Sequence, residues 1–224
     1  MIKIKTLIDN IKQIYSANEE NKIVNNGYIL IKDNIIEEVG KNSKLTQEKK
    51  NSVDQVIDAQ EMIALPGFIN THTHAAMTLL RGYADDLPLQ DWLQNKIWPF
   101  EGRLREEDIY WGTQFAILEM IKSGTTTFTD MYFQMDQTAN AVKETGIRAV
   151  LSEGLIEEND GIEGLDKTTD FANYWNNKAN GRITTMLAPH SPYTCSEDYL
   201  KHKRIKSNEL KLPTNIHLAD TKEE

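Results

Sequence analysis

The sequence predicts an α/β protein, a series of parallel strand–helix units of the kind that builds a (β/α)8 barrel, preceded by strands of a small β-sandwich. Three observations carry that expectation. The first sixty residues hold short, Ile- and Val-rich alternating stretches broken by Asn, Gly and Asp. From Ala64 onward, apolar strands alternate with longer stretches whose apolar residues recur at helical spacing. Each of those later strands also ends in chemically capable residues, as the C-terminal rim of a barrel requires. The implied domains are residues 1–60, the N-terminal part of the sandwich, and residues 61–224, about five strand–helix units of the barrel.

In chain order, "KIKTLID", "QIYSA", "GYILIKDNIIEEVG" and "VDQVIDA" read as strands, with a hairpin turning at Asp33–Asn34. The polar run "KNSKLTQEKKNS" (41–52) reads as a solvated connection. The barrel strands are "ALPGFINTH", "TTTFTDMY" (125–132), "RAVLSEGL" (148–155), "ITTMLAPH" (183–190) and "TNIHLA" (214–219). Between them, "EEDIYWGTQFAILEMIKSG" is helical and closes at Gly124, and "DQTANAVKETG" closes at Gly146. "SEDYLKHKRIKSNELK" has a serine N-cap over a thin apolar stripe.

Composition narrows the function. With 224 residues, 39% hydrophobic and 26% charged, the chain can bury a sizeable core. A net charge of −9 argues against nucleic acid, whose binding needs basic surface. The one cysteine, Cys195, allows neither an internal disulfide nor a Cys-rich zinc module. The start lacks the apolar core of a signal peptide, and no stretch approaches the roughly 20 apolar residues of a membrane span. A cytoplasmic protein is expected, with no membrane partner.

The chemistry gathers at the strand ends. Residues i and i+2 of a strand share a face, so His72 and His74 in "INTHTH" project together, and His217 ends a later strand. Three neutral imidazoles suit zinc with one position left open for water. Other polar and aromatic residues take blander readings. Asp130 reads as a structural strand-end carboxylate, His202 as solvated surface, and Trp92 and Trp98 as core.

The blocks "PGFINTHTHAAMTLLRGYADDLPLQDWLQNKIWPFE", "SGTTTFTDMY", "APHSPYTCS" and "IHLADTKEE" resemble the amidohydrolase superfamily, in particular its 5-methylthioadenosine/S-adenosylhomocysteine deaminase branch. The resemblance implies a metal-dependent TIM-type (β/α)8 barrel holding one Zn²⁺, with Fe²⁺ the second choice. His72, His74 and His217 match metal ligands. Glu101 matches the glutamate that holds the ribose hydroxyls, and His190 a histidine that contacts substrate. Asp220 falls where the family carries a glutamate that shuttles a proton to the purine. The implied reaction is hydrolytic deamination of an adenosine-type nucleoside to the inosine analogue and ammonia. The alternatives are hydrolysis of guanine or a chlorinated triazine ring, or a non-catalytic remnant or assembly subunit.

Three departures from that pattern stand out. Asp220 is one methylene shorter than glutamate. Glu153 occupies the position where members that accept S-adenosylhomocysteine carry an arginine, so repulsion of that carboxylate is expected. The chain stops at "TKEE" after its fifth strand, although the family's barrel continues with a sixth-strand histidine and an eighth-strand aspartate. A fragment of a longer protein, an interrupted reading frame or one of two chains is therefore expected, poorly active or inactive alone. Its partners would be a small purine nucleoside and a C-terminal half chain or a second copy of itself.

Overall fold

The computed structural model describes residues 4–220 and Lys222. Lys3, at the start of the first expected strand, lies outside them, as do Thr221, Glu223 and Glu224 of the closing TKEE. The chain forms two compact units, Met1–Pro66 and Gly67–Glu224.

The first unit is a five-stranded mixed sheet in the order β3-β2-β1-β4, with β5 also pairing β1. Its strands are β1 (Lys5–Tyr15), β2 (Ile23–Lys32), β3 (Ile35–Lys41), β4 (Gln55–Asp58) and β5 (Ile63–Ala64). The two strands expected at "KIKTLID" and "QIYSA" are one. A register shift between Ile8 and Ile11 marks a bulge, where Asn10 takes a left-handed φ of 59°. Asn tolerates that conformation, and the extra residue bends a strand without ending it. The hairpin turns where expected, with Asp33 left-handed between antiparallel β2 and β3. The polar run 41–52 is more ordered than expected. It contains α1 (Gln47–Asn51), capped by Thr46, whose side chain accepts from Lys49 N. Lys49 and Lys50 from this helix pair with Glu38 and with the buried Asp9. The unit extends past residue 60 because β5 still pairs with β1.

In the second unit, parallel strands β6 (Phe68–Thr73), β7 (Thr125–Tyr132), β8 (Arg148–Leu155) and β10 (Ala188–Pro189) lie in the order β10-β8-β7-β6, and β9 (Ile183–Thr185) also pairs β8. After β6 come a 3-10 turn, Ala75–Leu80, and a broken helical run. That run is α2 (Leu89–Trp92), a π turn (Leu93–Ile97) and α3 (Trp98–Glu101). The sheet is then crossed by α4 (Glu106–Lys122), α5 (Met135–Thr145), α6 (Glu157–Asp160) and α7 (Glu163–Trp175). A left-handed segment, α8 (Lys178–Gly181), and the helix α9 (Glu197–Leu210) follow. α4 and α5 stop before Gly124 and Gly146, each at φ 87°, where a side chain would be strained. Ser196 caps α9 by accepting from Tyr199 N. Ile109 and Ile117 of α4, Phe128 of β7, Val142 of α5, Leu151 of β8 and Trp175 of α7 share one core.

Two expected strands differ. Residues 183–190 split into β9 and β10, because Leu187 turns its backbone to the segment after α9. Leu187 N–H donates to Pro213 O, and Leu187 O accepts from Asn215 N. Residues 214–219 follow the sheet without forming a regular strand. They attach through the Leu187–Thr214 bridge and through His217 N–H donating to His190 O. No described helix is long and apolar enough to cross a membrane.

Candidate metal centre and substrate cavity

His72 lies near the end of β6, and His74 just beyond it. Their placement depends on β7. The Thr73 hydroxyl, between them, donates to Asp130 Oδ1 at 2.5 Å, and Ala75 N donates to the same oxygen at 2.8 Å. Asp130 is fully buried, and burial pushes its carboxyl up to about 6 against the pull of those two donors. It acts as the structural strand-end carboxylate the sequence suggests, bracketing His74 on both sides.

The imidazoles of His72, His74 and His217 converge, each presenting a ligand atom within 4.8 Å of the others. Their tautomers follow from their partners. His74 Nδ1 lies 2.6 Å from Met131 O, and His217 Nδ1 lies 3.0 Å from His190 O. A carbonyl only accepts, so each Nδ1 carries a proton, and in the neutral ring that a metal needs each Nε2 is then a bare lone pair. The two Nε2 atoms face each other at 3.2 Å. Two acceptors at that distance repel unless a cation lies between them, so the donor set fits a divalent metal. Burial, with a smaller contribution from the neighbouring imidazoles, pulls the His74 pKa below its usual value, which keeps it neutral as a ligand must be.

A cavity of about 580 Å³ opens over the three histidines. His190, Glu101 and Asp220 all line it, together with His72, His74 and His217. His190 packs 4.9 Å from the His217 ring, and its Nδ1 lies 3.1 and 3.0 Å from the Ser191 and Thr194 hydroxyls. Burial and the adjacent His217 and His74 pull its pKa down to about 4, so the ring is uncharged at neutral pH. Asp220 is exposed, and Tyr193 Oη donates to its Oδ2 at 3.3 Å. Glu101 ends α3 on the cavity wall, where burial raises its pKa and a hydrogen bond from Tyr132 lowers it.

Several wall residues differ from the sequence reading. Trp92 and Trp98 are half-buried on the cavity wall with Leu93 and Ile97, rather than core. They flank the π turn Leu93–Ile97, one at each end. Glu153 also lines the cavity, but its carboxylate is buried. It accepts from Gln134 N at 3.2 Å and Met135 N at 3.1 Å, and pairs with Lys167 at 3.5 Å. Tyr132, at the end of "TDMY", is a wall residue that its strand-end position alone could have flagged. His202 is exposed and away from the cavity, bonded to Asp198 O.

Comparison with known proteins adds relatives to this geometry. The model of the amidohydrolase family matches residues 63–224. A 5-methylthioadenosine/S-adenosylhomocysteine deaminase of Halothermothrix orenii is 56% identical over 221 residues, covering 99% of this chain and 51% of the relative. A protein of the same name from Syntrophomonas wolfei is 48% identical, covering 99% of this chain and 50% of its own length. Among solved structures, an adenosine deaminase from Xanthomonas campestris with bound zinc superposes with a TM-score of 0.85 at 28% identity, over 99% of this chain and 51% of that one. A guanine deaminase from C. acetobutylicum, at 22% identity and a TM-score of 0.81 over 98% of this chain and 54% of its own, shares the fold. The chain spans about half the length of the curated relatives it matches.

Proposed function

The chain belongs to the amidohydrolase family, and from that premise we propose that its whole protein deaminates an adenosine-type nucleoside hydrolytically, with the metal held by His72, His74 and His217. The substrate class is 5-methylthioadenosine, S-adenosylhomocysteine or adenosine, and the products are the inosine analogue and ammonia. The observation that carries this reading is the facing pair of Nε2 atoms on His74 and His217, 3.2 Å apart in the wall of a cavity, each with its Nδ1 turned to a backbone carbonyl. The same reading takes the first unit as one layer of a small β-sandwich. The second unit is then about the first five strand–helix units of a (β/α)8 barrel, which a complementary half completes.

Zinc is preferred to iron because three imidazoles with one open position are a common catalytic zinc set. When bound, such an ion lowers the pKa of a coordinated water from about 15.7 to about 7. The remaining work belongs to side chains. Glu101 accepts hydrogen bonds from the ribose hydroxyls, which a bare guanine or triazine ring lacks. Trp92, Trp98 and Leu93 give a flat ring an apolar wall and exclude water from it. His190, held uncharged by burial, offers a ring nitrogen to the substrate. Asp220 delivers a proton to a purine nitrogen, assistance typically worth about 10²–10⁴-fold. Its shorter side chain must reach from an exposed turn, and Tyr193 holds it toward the cavity.

The test joins metal content to ammonia release. The full-length protein should hold one zinc per subunit by elemental analysis and release ammonia from methylthioadenosine. His72→Ala with His74→Ala should lose both. A full equivalent of metal retained by the double variant would overturn the ligand assignment. Residues 1–224 alone should release no ammonia. Turnover restored by adding a separately expressed C-terminal half would exclude the reading as a non-catalytic remnant.

A further inference from the structure

The C-terminal end of β7 touches both halves of the candidate site through two successive residues. Met131 does so through its backbone, its carbonyl accepting from His74 Nδ1 at 2.6 Å. Tyr132 does so through its side chain. Its ring centroid lies 6.3 Å from that of His74, it stacks on Phe133 at 4.2 Å, and its hydroxyl donates to Glu101 Oε1 at 2.7 Å. Tyr132 is buried, so its ring has little freedom to wander.

Glu101 depends on such a partner. It ends α3, a helix of four residues preceded by a π turn and followed by Gly102, in a run that belongs to no sheet. A carboxylate on so short and irregular a segment has no regular framework to aim it. The Tyr132 hydroxyl carries one proton, and an ionised carboxylate only accepts, so the direction of the bond is fixed. That bond occupies Oε1 and ties the carboxylate to the sheet that also holds His74. No hydrogen bond between Glu101 Oε2 and a described residue competes for that oxygen, which leaves it available to a ligand in the cavity.

We propose that Tyr132 is a positioning residue that sets the distance between Glu101 and the histidine cluster, and thereby makes the cavity select nucleosides with an intact 2′,3′-diol. The proposal rests on the deaminase reading above. It deepens that reading by naming what fixes the register of the ribose against the reacting ring. A displacement of about 1 Å at such a point costs about 10²-fold in rate. A site built to bind a hydroxyl also discriminates strongly against the analogue that lacks it.

The experiment compares adenosine with 2′-deoxyadenosine in the full-length, zinc-loaded protein. Tyr132→Phe keeps the ring, its stack on Phe133 and the neighbouring Met131 carbonyl. It should reduce the preference for adenosine over 2′-deoxyadenosine in kcat/KM by about 10-fold or more. The loss should appear in kcat/KM for adenosine and not for 2′-deoxyadenosine, with metal stoichiometry unchanged. A merely structural role would instead lower kcat for both nucleosides alike and leave the ratio as it was. Glu101→Gln should reduce the same ratio, and adding Tyr132→Phe to it should change the ratio no further. That second comparison also removes the buried carboxylate that could unfold the single variant. If Glu101→Gln lowers the ratio and Tyr132→Phe does not, the positioning role is overturned while the deaminase reading stands. A further fall on adding Tyr132→Phe to Glu101→Gln would likewise overturn it. A wild-type protein that deaminates both nucleosides without preference would overturn the proposed selection and leave the deaminase reading standing, whereas one that releases ammonia from neither of them nor from methylthioadenosine would overturn both.

Discussion

The Glu153 carboxylate holds the first turn of α5 by accepting from Gln134 N and Met135 N, and Lys167 neutralises it from the cavity side. An acidic group at a helix N-terminus is stabilising, and a buried one that loses its partners is costly. Glu153→Arg is therefore expected to lower the stability of this chain by about 2–4 kcal/mol, read from the urea midpoint. An unchanged midpoint would show that the carboxylate does not hold α5. The repulsion of an anionic substrate expected from Glu153 is correspondingly blunted, and the charge a substrate meets is Lys167, whose side chain is 74% exposed. Lys167→Gln keeps the Gln134 and Met135 donors on Glu153 and should lower kcat/KM for S-adenosylhomocysteine about 10-fold relative to methylthioadenosine in the full-length protein. The convergence of His72, His74 and His217 is foreshadowed in the sequence by strand-end position, whereas Glu101, His190 and Asp220 are reached only through the family resemblance. The roles of Tyr132 and Glu153 are not legible there, because their partners lie 31 and about 19 residues away and only folding brings them together.

α9 illustrates what a helix can conceal. Its apolar stripe is thin, as its sequence shows, because one of its buried positions is a lysine. Lys203 is 1% exposed and its Nζ finds no hydrogen-bond partner among the described residues. Burial pulls its pKa from 10.5 down to about 8, with Cys195 and Asp160 pulling the other way. The folded chain thus binds this proton less tightly than the unfolded chain does. Stability is fully present above about 10.5 and lost as pH falls through about 8. Lys203→Met should raise stability at pH 7 by on the order of 2–3 kcal/mol, and that gain should shrink as pH rises from 8 towards 10.5. A gain equal at pH 7 and pH 10 would place its origin elsewhere. Among the other elements, helices ended by glycine are legible. The split of β9 from β10 is not, because it depends on Leu187 turning to Pro213 and Asn215. Nor is α7, whose apolar positions are diluted by buried threonines, Thr168 and Thr169.

Across the molecule, apolar surface remains uncovered in both units. On α4, Trp111, Phe115, Leu118 and Ile121 are 63, 45, 54 and 53% exposed, and on β6 Phe68 and Ile69 are 65 and 66% exposed. In the first unit Ile35, Ile36, Val56 and Ile57 are similarly bare. Surfaces of that extent draw partners, so purified residues 1–224 should sediment as species larger than the 25.6 kDa monomer. Trp111→Lys with Leu118→Glu should shift the distribution towards monomer, and a wild-type chain that is monomeric at high concentration would contradict the expectation. The alternating strands and helices of this half are legible in the sequence. What covers them is not, since hydrophobic pattern names a buried face without naming its neighbour. The facing imidazoles carry one more consequence, for the freedom of the chain. His74 and His217 are 143 residues apart, so an ion they share closes almost the whole second unit into a ring. Cross-linking a loop of that length removes about 5 kcal/mol of conformational entropy from the unfolded ensemble. An ion held there would be a clasp as well as a reagent, and on the proposed ligand set the abundance of free metal would set how firmly residues 213–217 stay fastened to the sheet.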